Sequence, residues 1–359
     1  MLLYIIVSIL SYVLLNYSKK VEDKIKRNVL IFISFLLLFL VSALRVNVGT
    51  DYLSYKEWFN DITKPSFSYV NFCFNNLIYI IKLFTNNSQY FFVVTSFLIL
   101  SIIYMVNIDE RTDYDMSLFL FVALGFYFST FNGIRQWIAI ALFMWAYKFA
   151  IKKNLKRYVL LVLLASLFHI TALLLLPFYF IFNFRIEDKT KLIVITIFLL
   201  VFKFLNFESI VAFLLEKFAI TFYYRYISSG VDLSQGVGSP FPILLSGGML
   251  LYYIIFKSKF LKNMSNEMYE QNKHLCFIIT LFAIINTVNN LFSRFALYFI
   301  PMIITILPDS YVIFNKKWTQ IIKTLIIIVG IAFMIVNTTL KNSNSPLPYN
   351  CIFGMLGNI

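Results

Sequence analysis

The sequence predicts an all-α, polytopic integral membrane protein, and three observations predict it. First, 60% of the 359 residues are hydrophobic and only 13% are charged, with a mean hydropathy of +0.80. Soluble domains lie nearer half apolar and a quarter charged. Second, apolar runs of about 18 residues recur along the chain, each long enough to cross a hydrocarbon core of about 30 Å as a helix. Third, these runs are uninterrupted. Only helices and closed barrels satisfy their backbone in lipid, and barrel strands would alternate apolar with polar residues. The expected organisation is a single transmembrane domain over residues 1–359, with about 11–13 transmembrane or interfacial helices. Outer-face loops are expected at 45–66, 131–136 and 225–239, followed by a C-terminal tail at 338–359.

The first run, Met1 to Tyr17, lacks a basic leader and a small-residue cleavage site, so it reads as a retained helix rather than a signal peptide. Spans are predicted over 2–17, 29–44, 89–108, 116–130, 134–151, 158–182, 190–206, 240–257, 274–291, 294–313 and 320–337. Two stretches, 67–84 and 208–224, are apolar but carry polar residues. Each fits either a helix lying along the headgroups or a span facing a wet interior.

Basic clusters set the sides. Lys19, Lys20, Lys24, Lys26 and Arg27 form one, and Lys152, Lys153, Lys156 and Arg157 another. Lys257, Lys259 and Lys262 form a third, with Lys316 and Lys317 a fourth. Placing all four in the cytoplasm satisfies the positive-inside rule. The stretches 45–66, 131–136 and 289–294 and the tail then lie outside, and 67–84 must not cross. One further crossing between 158 and 240 comes from 208–224 or from a hairpin broken near His169; the span at 208–224 is preferred. The acidic loop 109–115 falls inside, which the rule permits because acidic residues scarcely influence orientation. The net charge of +14 is spread over these inter-span clusters, so it points to anionic lipid headgroups and argues against nucleic acid. Cys73, Cys276 and Cys351 show no paired spacing, which removes a disulfide framework and a zinc site.

The polar residues that remain gather at the outer face. In "RVNVGTDYLSY", at 45–55, Arg45, Asp51, Tyr52 and Tyr55 follow directly on a greasy run. In "FNGIRQW", Gly133 permits a tight turn, after which Arg135 and Gln136 open a helix beside Asn132. An arginine next to exposed helical N–H groups can receive an anion; the plain alternative is snorkelling to lipid phosphate. In "LASLFHIT", His169 lies inside an apolar run, and an ionisable group within a span is a functional candidate. Helix lengths taken from the predicted spans set His169 about 7 Å deeper than Arg135, so both can line one outward-facing cavity. Arg294 follows Asn289 and Asn290 at another outer junction, Arg225 lies in "FYYRYISS", and His274 sits beside a lysine cluster as a headgroup neighbour. The glycines of 230–240 follow no strand, so no nucleotide fingerprint applies, and there is no Walker motif, HExxH or nucleophile elbow.

In this order the motifs resemble the EpsG family of bacterial polysaccharide polymerases, relatives of the Wzy polymerases. The resemblance rests on "RVNVGTDYLSY", "FNGIRQWIAIALF" and "KKNLKRYVLLVLLASLFHITALLLLPFY", with support from "SRFALYF" and the terminal "PLPYN"; nothing between 183 and 290 contributes. It implies an enzyme of the bacterial plasma membrane that joins repeat units carried on undecaprenyl diphosphate at the outer side, making capsule, exopolysaccharide or O-antigen. The growing chain leaves its lipid diphosphate for a hydroxyl of the next unit. Such an enzyme uses no nucleotide sugar and needs neither metal nor cofactor. Its partners would be the lipid-linked oligosaccharide, membrane lipids, and a flippase and chain-length regulator of the same pathway.

That chemistry asks for cations where charge builds on the leaving diphosphate, which arginine supplies with a fork matched to phosphate oxygens. Arg135 and Arg294 are the first candidates and Arg45 the next. Asp51 or His169 can take the acceptor proton. Tyr52 and Tyr55 would be sugar platforms, and Asn132, Gln136 and Arg225 further substrate contacts; an Arg45–Asp51 pair that only pins the loop is the alternative. Three rival functions use some of the same residues. A glycan ligase shares the donor chemistry. A sugar acyltransferase would need acyl-CoA access from the cytoplasm, opposite to these residues. A lipid-linked oligosaccharide flippase predicts internal repeats and midplane charges, and neither is present in the sequence.

Overall fold

Side-chain caps open four of the described helices. Asp23 accepts from the N–H groups of Ile25 and Lys26 and opens α2 (Lys24–Ala43), after α1 (Leu2–Ser18). Asn154 opens α9 (Leu155–Phe168) by accepting from Arg157, and Ser265 and Asn315 do the same for two later helices. Each cap satisfies an N–H that the first helical turn leaves without a partner. The computed structural model describes residues 1–108, 113–204, 238–287, 290–342 and 344–355. Over these its regular structure is helical, apart from one β-hairpin whose strands are Asn350–Cys351 and Gly354–Met355. The protein is an all-α, multi-pass membrane protein.

The chain forms two compact units, one made of Met1–Tyr179 with Phe314–Ile359 and the other of Phe180–Ile313. In the first, α1 and α2 are followed by α3 (Tyr52–Asp61), α4 (Phe72–Lys82), α5 (Gln89–Ile108), α6 (Tyr114–Ala123), α7 (Phe126–Ser129), α8 (Ile134–Ile151) and α9. A 3₁₀ segment, Ile170–Leu175, follows His169, and α10 is Phe178–Asn183. The second unit contains α11 (Asp188–Phe204), α12 (Phe241–Ile255), α13 (Lys257–Asn263), α14 (Asn266–Ile285) and α15 (Asn290–Ala296), then short turns to Tyr311, with α16 (Ile303–Ile306) among them. The chain returns to the first unit as α17 (Lys316–Ile335).

Four helical stretches are long and apolar enough to cross a membrane: Lys24–Ala43, Gln89–Ile108, Phe292–Tyr311 and Lys316–Leu340. A fifth arises if α12 and α13, bent by 82°, count together. Several predicted spans are interrupted. The run 116–130 breaks at Gly125, whose φ of +87° only glycine adopts readily. The run 158–182 begins earlier, at Leu155, and breaks at His169, whose extended backbone ends the helix. The run 294–313 coincides with the candidate span Phe292–Tyr311, which tightens into 3₁₀ turns around Pro301 and Pro308 because proline cannot donate to a helical ladder. The alternative span 208–224 lies outside the described residues. The 67–84 stretch holds only the 11-residue α4, shorter than a membrane span.

One end of the first unit is pinned by ions. Lys19 Nζ lies 2.9 Å from Asp113 and 2.5 Å from Asp115, and Lys323 lies 2.8 Å from Asp113. Asn16 donates to Asp115 at 2.8 Å. The ends of α1 and α6 and the first turns of α17 are thereby tied together where the first predicted cytoplasmic cluster meets the acidic loop. In the second unit His274 is not a headgroup neighbour: it is 6% exposed, and Nε2 lies 2.8 Å from the Ile181 carbonyl. Its position on α14, between buried Lys273 and Cys276, turns it inward.

Candidate outer-face site

At the other end of the first unit, three motifs far apart in the sequence are bonded into one knot. The loop after α2 pairs with the C-terminal tail: Val46 N–H donates to Asn350 O at 2.9 Å, Ile352 N–H to Leu44 O at 3.1 Å, and Gly49 N–H to Ser345 O at 3.0 Å. Tyr4 and Tyr349 donate to Pro346 O and Val41 O at 2.8 and 3.1 Å. The turn before α8 joins both. Asn132 Nδ2 donates to Asn344 O at 3.0 Å, and Asn132 Oδ1 accepts from Asp51 N–H at 3.3 Å. Asp51 Oδ2 accepts from Gly133 N–H at 2.8 Å. The anion at the N-terminus of α8 is therefore the chain's own: Asp51 places its carboxylate where exposed N–H groups and the helix dipole favour one.

Arg45 is 1% exposed and does not bind from the surface, which corrects its expected role as a substrate contact. Nor does it pair with Asp51. Its Nη1 donates to Ser42 O at 2.5 Å, and Nη2 reaches Phe131 O at 3.5 Å. The guanidinium lies 4.7 Å from the Phe131 ring and 5.0 Å from that of Phe92. Burial lowers its pKa to about 10, which leaves it protonated at neutral pH. It ties the end of α2 to the turn before α8. Gln89, which carries no sequence signal, adds a second tie by donating to Ala43 O at 2.6 Å.

Tyr52 and Tyr55 are also corrected. Tyr52 is 4% exposed and stacked on Phe92, with centroids 4.3 Å apart, and Tyr55 is 5% exposed among Phe74, Phe91 and Trp58. Neither presents a face to a sugar. With Phe59 they follow an i, i+3, i+7 spacing, the pattern of a helix face packed inward. Burial raises the Tyr55 pKa, and nearby Arg135 opposes the rise while Asp51 adds to it, so this hydroxyl senses both charges.

Arg135 lies one residue into α8. Its guanidinium carbon is 4.3 Å from the Trp58 ring and 5.9 Å from that of Phe74. Its Nε is buried without a hydrogen-bond partner, and no carboxylate among the described residues pairs with it. Gln136 is buried in the same turn. Neither ring is marked out in the sequence: a tryptophan beside an apolar run is equally an interfacial anchor, and Phe74 is one of several apolar residues of α4. His169 ends α9, its Nδ1 2.7 Å from Thr171 Oγ1. It lies 14 residues after Leu155 and Arg135 lies 16 before Ile151, so the hairpin brings them to within about 3 Å in height, less than the expected 7. Tyr69 bonds Ser166 at 2.6 Å, so the chain between α3 and α4 also meets the His169 end of α9. Arg294 is exposed in the second unit, and Arg225 lies outside the described residues.

The EpsG family model matches residues 28–351, which takes in the loop after α2, the turn before α8, His169 and most of the tail. The chain belongs to the EpsG family. No curated protein and no solved structure matches it. EpsG membership supports a role in polysaccharide polymerisation, and the match includes residues 183–290, from which no motif could be quoted. Residues 1–27 fall outside the match, although Tyr4, Asn16 and Lys19 of α1 bond to residues inside it.

Proposed function

We propose that this EpsG protein is a membrane glycosyltransferase that polymerises oligosaccharide repeat units carried on undecaprenyl diphosphate, at the outer face of the bacterial plasma membrane. The observation that carries the reading is Arg135: a guanidinium at the mouth of a hairpin, held on aromatic rings and neutralised by no carboxylate among the described residues. Such a cation is suited to the oxygens of a departing diphosphate, where preorganised donors act most strongly on charge that develops in the transition state. Asp51 is anchored two residues away, at Gly133, and its carboxylate can still accept the proton of an attacking hydroxyl. His169, at the same end of the α8–α9 hairpin, is the second base candidate.

In this reading the glycosyl carbon of the growing chain breaks its bond to the diphosphate oxygen and forms one to the hydroxyl oxygen of the incoming unit. The hydroxyl proton passes to Asp51 or His169, and the lipid diphosphate leaves with its negative charge facing Arg135. The test is to express Arg135→Ala in a strain lacking the protein and to extract the surface and lipid-linked glycans. Single repeat units displayed outside, with normal amounts of protein in the membrane, are expected. Full-length polymer would remove Arg135 from the mechanism, and units trapped inside would point to transport instead.

A further inference from the structure

We infer that Trp58 is a positioning residue for Arg135, holding its guanidinium ready for an oxyanion; the inference rests on the reading of Arg135 given above. An arginine with no carboxylate to fix it has many rotamers, and a loosely held one would have to be ordered each time the ligand arrives. Here the ordering is supplied by a wall of rings. Phe74, 0% exposed, packs edge-on to Phe91 of α5 at 5.6 Å and to Trp58 at 5.3 Å. Tyr55 stacks on Trp58, 10° from parallel. The indole is thus fixed from behind by buried neighbours while its own face meets the guanidinium at 4.3 Å. Trp58 is only half-buried itself, so its removal deletes the shelf without opening the core.

This arrangement has a chemical consequence that a salt bridge would not. A carboxylate in the place of Trp58 would hold Arg135 as firmly but would cancel its charge and occupy its fork. A ring face attracts the cation through its quadrupole and leaves the in-plane N–H donors directed away from the ring; the Tyr55 hydroxyl meets the guanidinium on its protein side, and the donors on the open side are left for phosphate oxygens.

The test uses the full-length protein in detergent with farnesyl diphosphate as the probe, alongside polymer output in cells. Trp58→Leu keeps apolar bulk but removes the ring, and is expected to weaken probe binding about tenfold at an unchanged melting temperature. Trp58→Phe restores a ring face and is expected to stay within about threefold of wild type. In the Arg135→Ala background, Trp58→Leu should add nothing, because the shelf then has no cation to hold. Wild-type binding by Trp58→Leu overturns the inference, as does an equal loss in the Leu and Phe variants or a full additional loss in the Arg135→Ala background. Should Trp58→Leu fold poorly, Trp58→Met against Trp58→Tyr repeats the comparison. If Arg135→Ala binds the probe and makes polymer normally, the reading of the site itself has failed; if Arg135→Ala loses both while Trp58→Leu does not, only the role of Trp58 has.

Discussion

Gly49 offers the sharpest test of the knot formed by the loop, the turn and the tail. Its φ of +100° is one that only glycine adopts readily, and a Cβ there would stand 2.8 Å from Asn132 Oδ1, 3.2 Å from Phe131 Cβ and 3.3 Å from Phe131 O. Gly49→Ala therefore carries two costs. The backbone strain is worth about 1–3 kcal/mol, and forcing apart packed atoms adds about 1–3 kcal/mol. Gly125 supplies the control: its φ is +87° with nothing within 4 Å of an added Cβ, so Gly125→Ala carries only the first cost. Thermal unfolding of the two variants in detergent should rank wild type above Gly125→Ala and Gly125→Ala above Gly49→Ala. Gly49→Ala should also lose polymer out of proportion to its stability, since the atoms it displaces hold Asp51 and the turn before Arg135. Equal midpoints for the two variants would show that the loop and turn are not closely packed.

Three further substitutions separate holding from chemistry. Asp51→Asn keeps an oxygen for Gly133 N–H and should cost no more than about 1 kcal/mol of stability, yet abolish polymer if the carboxylate is the base; retained polymer would leave Asp51 as a cap alone. Arg45→Met removes a buried cation that bonds backbone carbonyls, so its polymer should fall only in step with its folded amount, measured by membrane yield and melting temperature. A stable Arg45→Met protein with no polymer would restore Arg45 as a substrate contact. Asp115→Ala removes the buried acceptor of Asn16 and one of the two carboxylates at Lys19, which keeps Asp113, and should cost about 1–3 kcal/mol, seen as a lowered melting temperature, while outer-face thiol labelling at position 135 stays unchanged in the protein that folds.

The fold class and the ends of the first unit were legible because they depend on properties that add along the sequence. Apolar length gives spans, and lysine asymmetry gives sides. The structure sets Arg45, Asp51 and Arg135 at one end of that unit and Lys19 and Lys323 at the other. The breaks at His169 and Gly125 were harder to place. A span interrupted by one extended residue keeps its hydropathy, and only the backbone angle records the break. The roles inside the site were hardest. Nothing in "RVNVGTDYLSY" says that Arg45 turns inward on Phe92 and Phe131 while Asp51 reaches across to Gly133, because those partners lie 47, 86 and 82 positions away. The helical spacing of Tyr52, Tyr55 and Phe59 was present in the sequence, but spacing alone does not separate a helix face packed inward from rings offered to a sugar.

The division of labour between the two arginines follows from what surrounds them. Both are cations beside aromatic rings and both have an unpartnered Nε, so composition alone cannot separate them. Arg45 spends its outer nitrogens on carbonyls and hydroxyls of Ser42, Ser96 and Phe131 and is sealed from solvent. Using it on a ligand would mean unmaking the contacts that join α2 to the turn before α8. Arg135 touches rings and is partly open, so a ligand could engage it without such a loss. The buried arginine fixes the turn, the turn places the second arginine, and only the second is free to meet an anion. A chain in which the two exchanged behaviours on substitution, with Arg45→Met folded but inactive and Arg135→Ala unfolded, would require the assignment to be reversed.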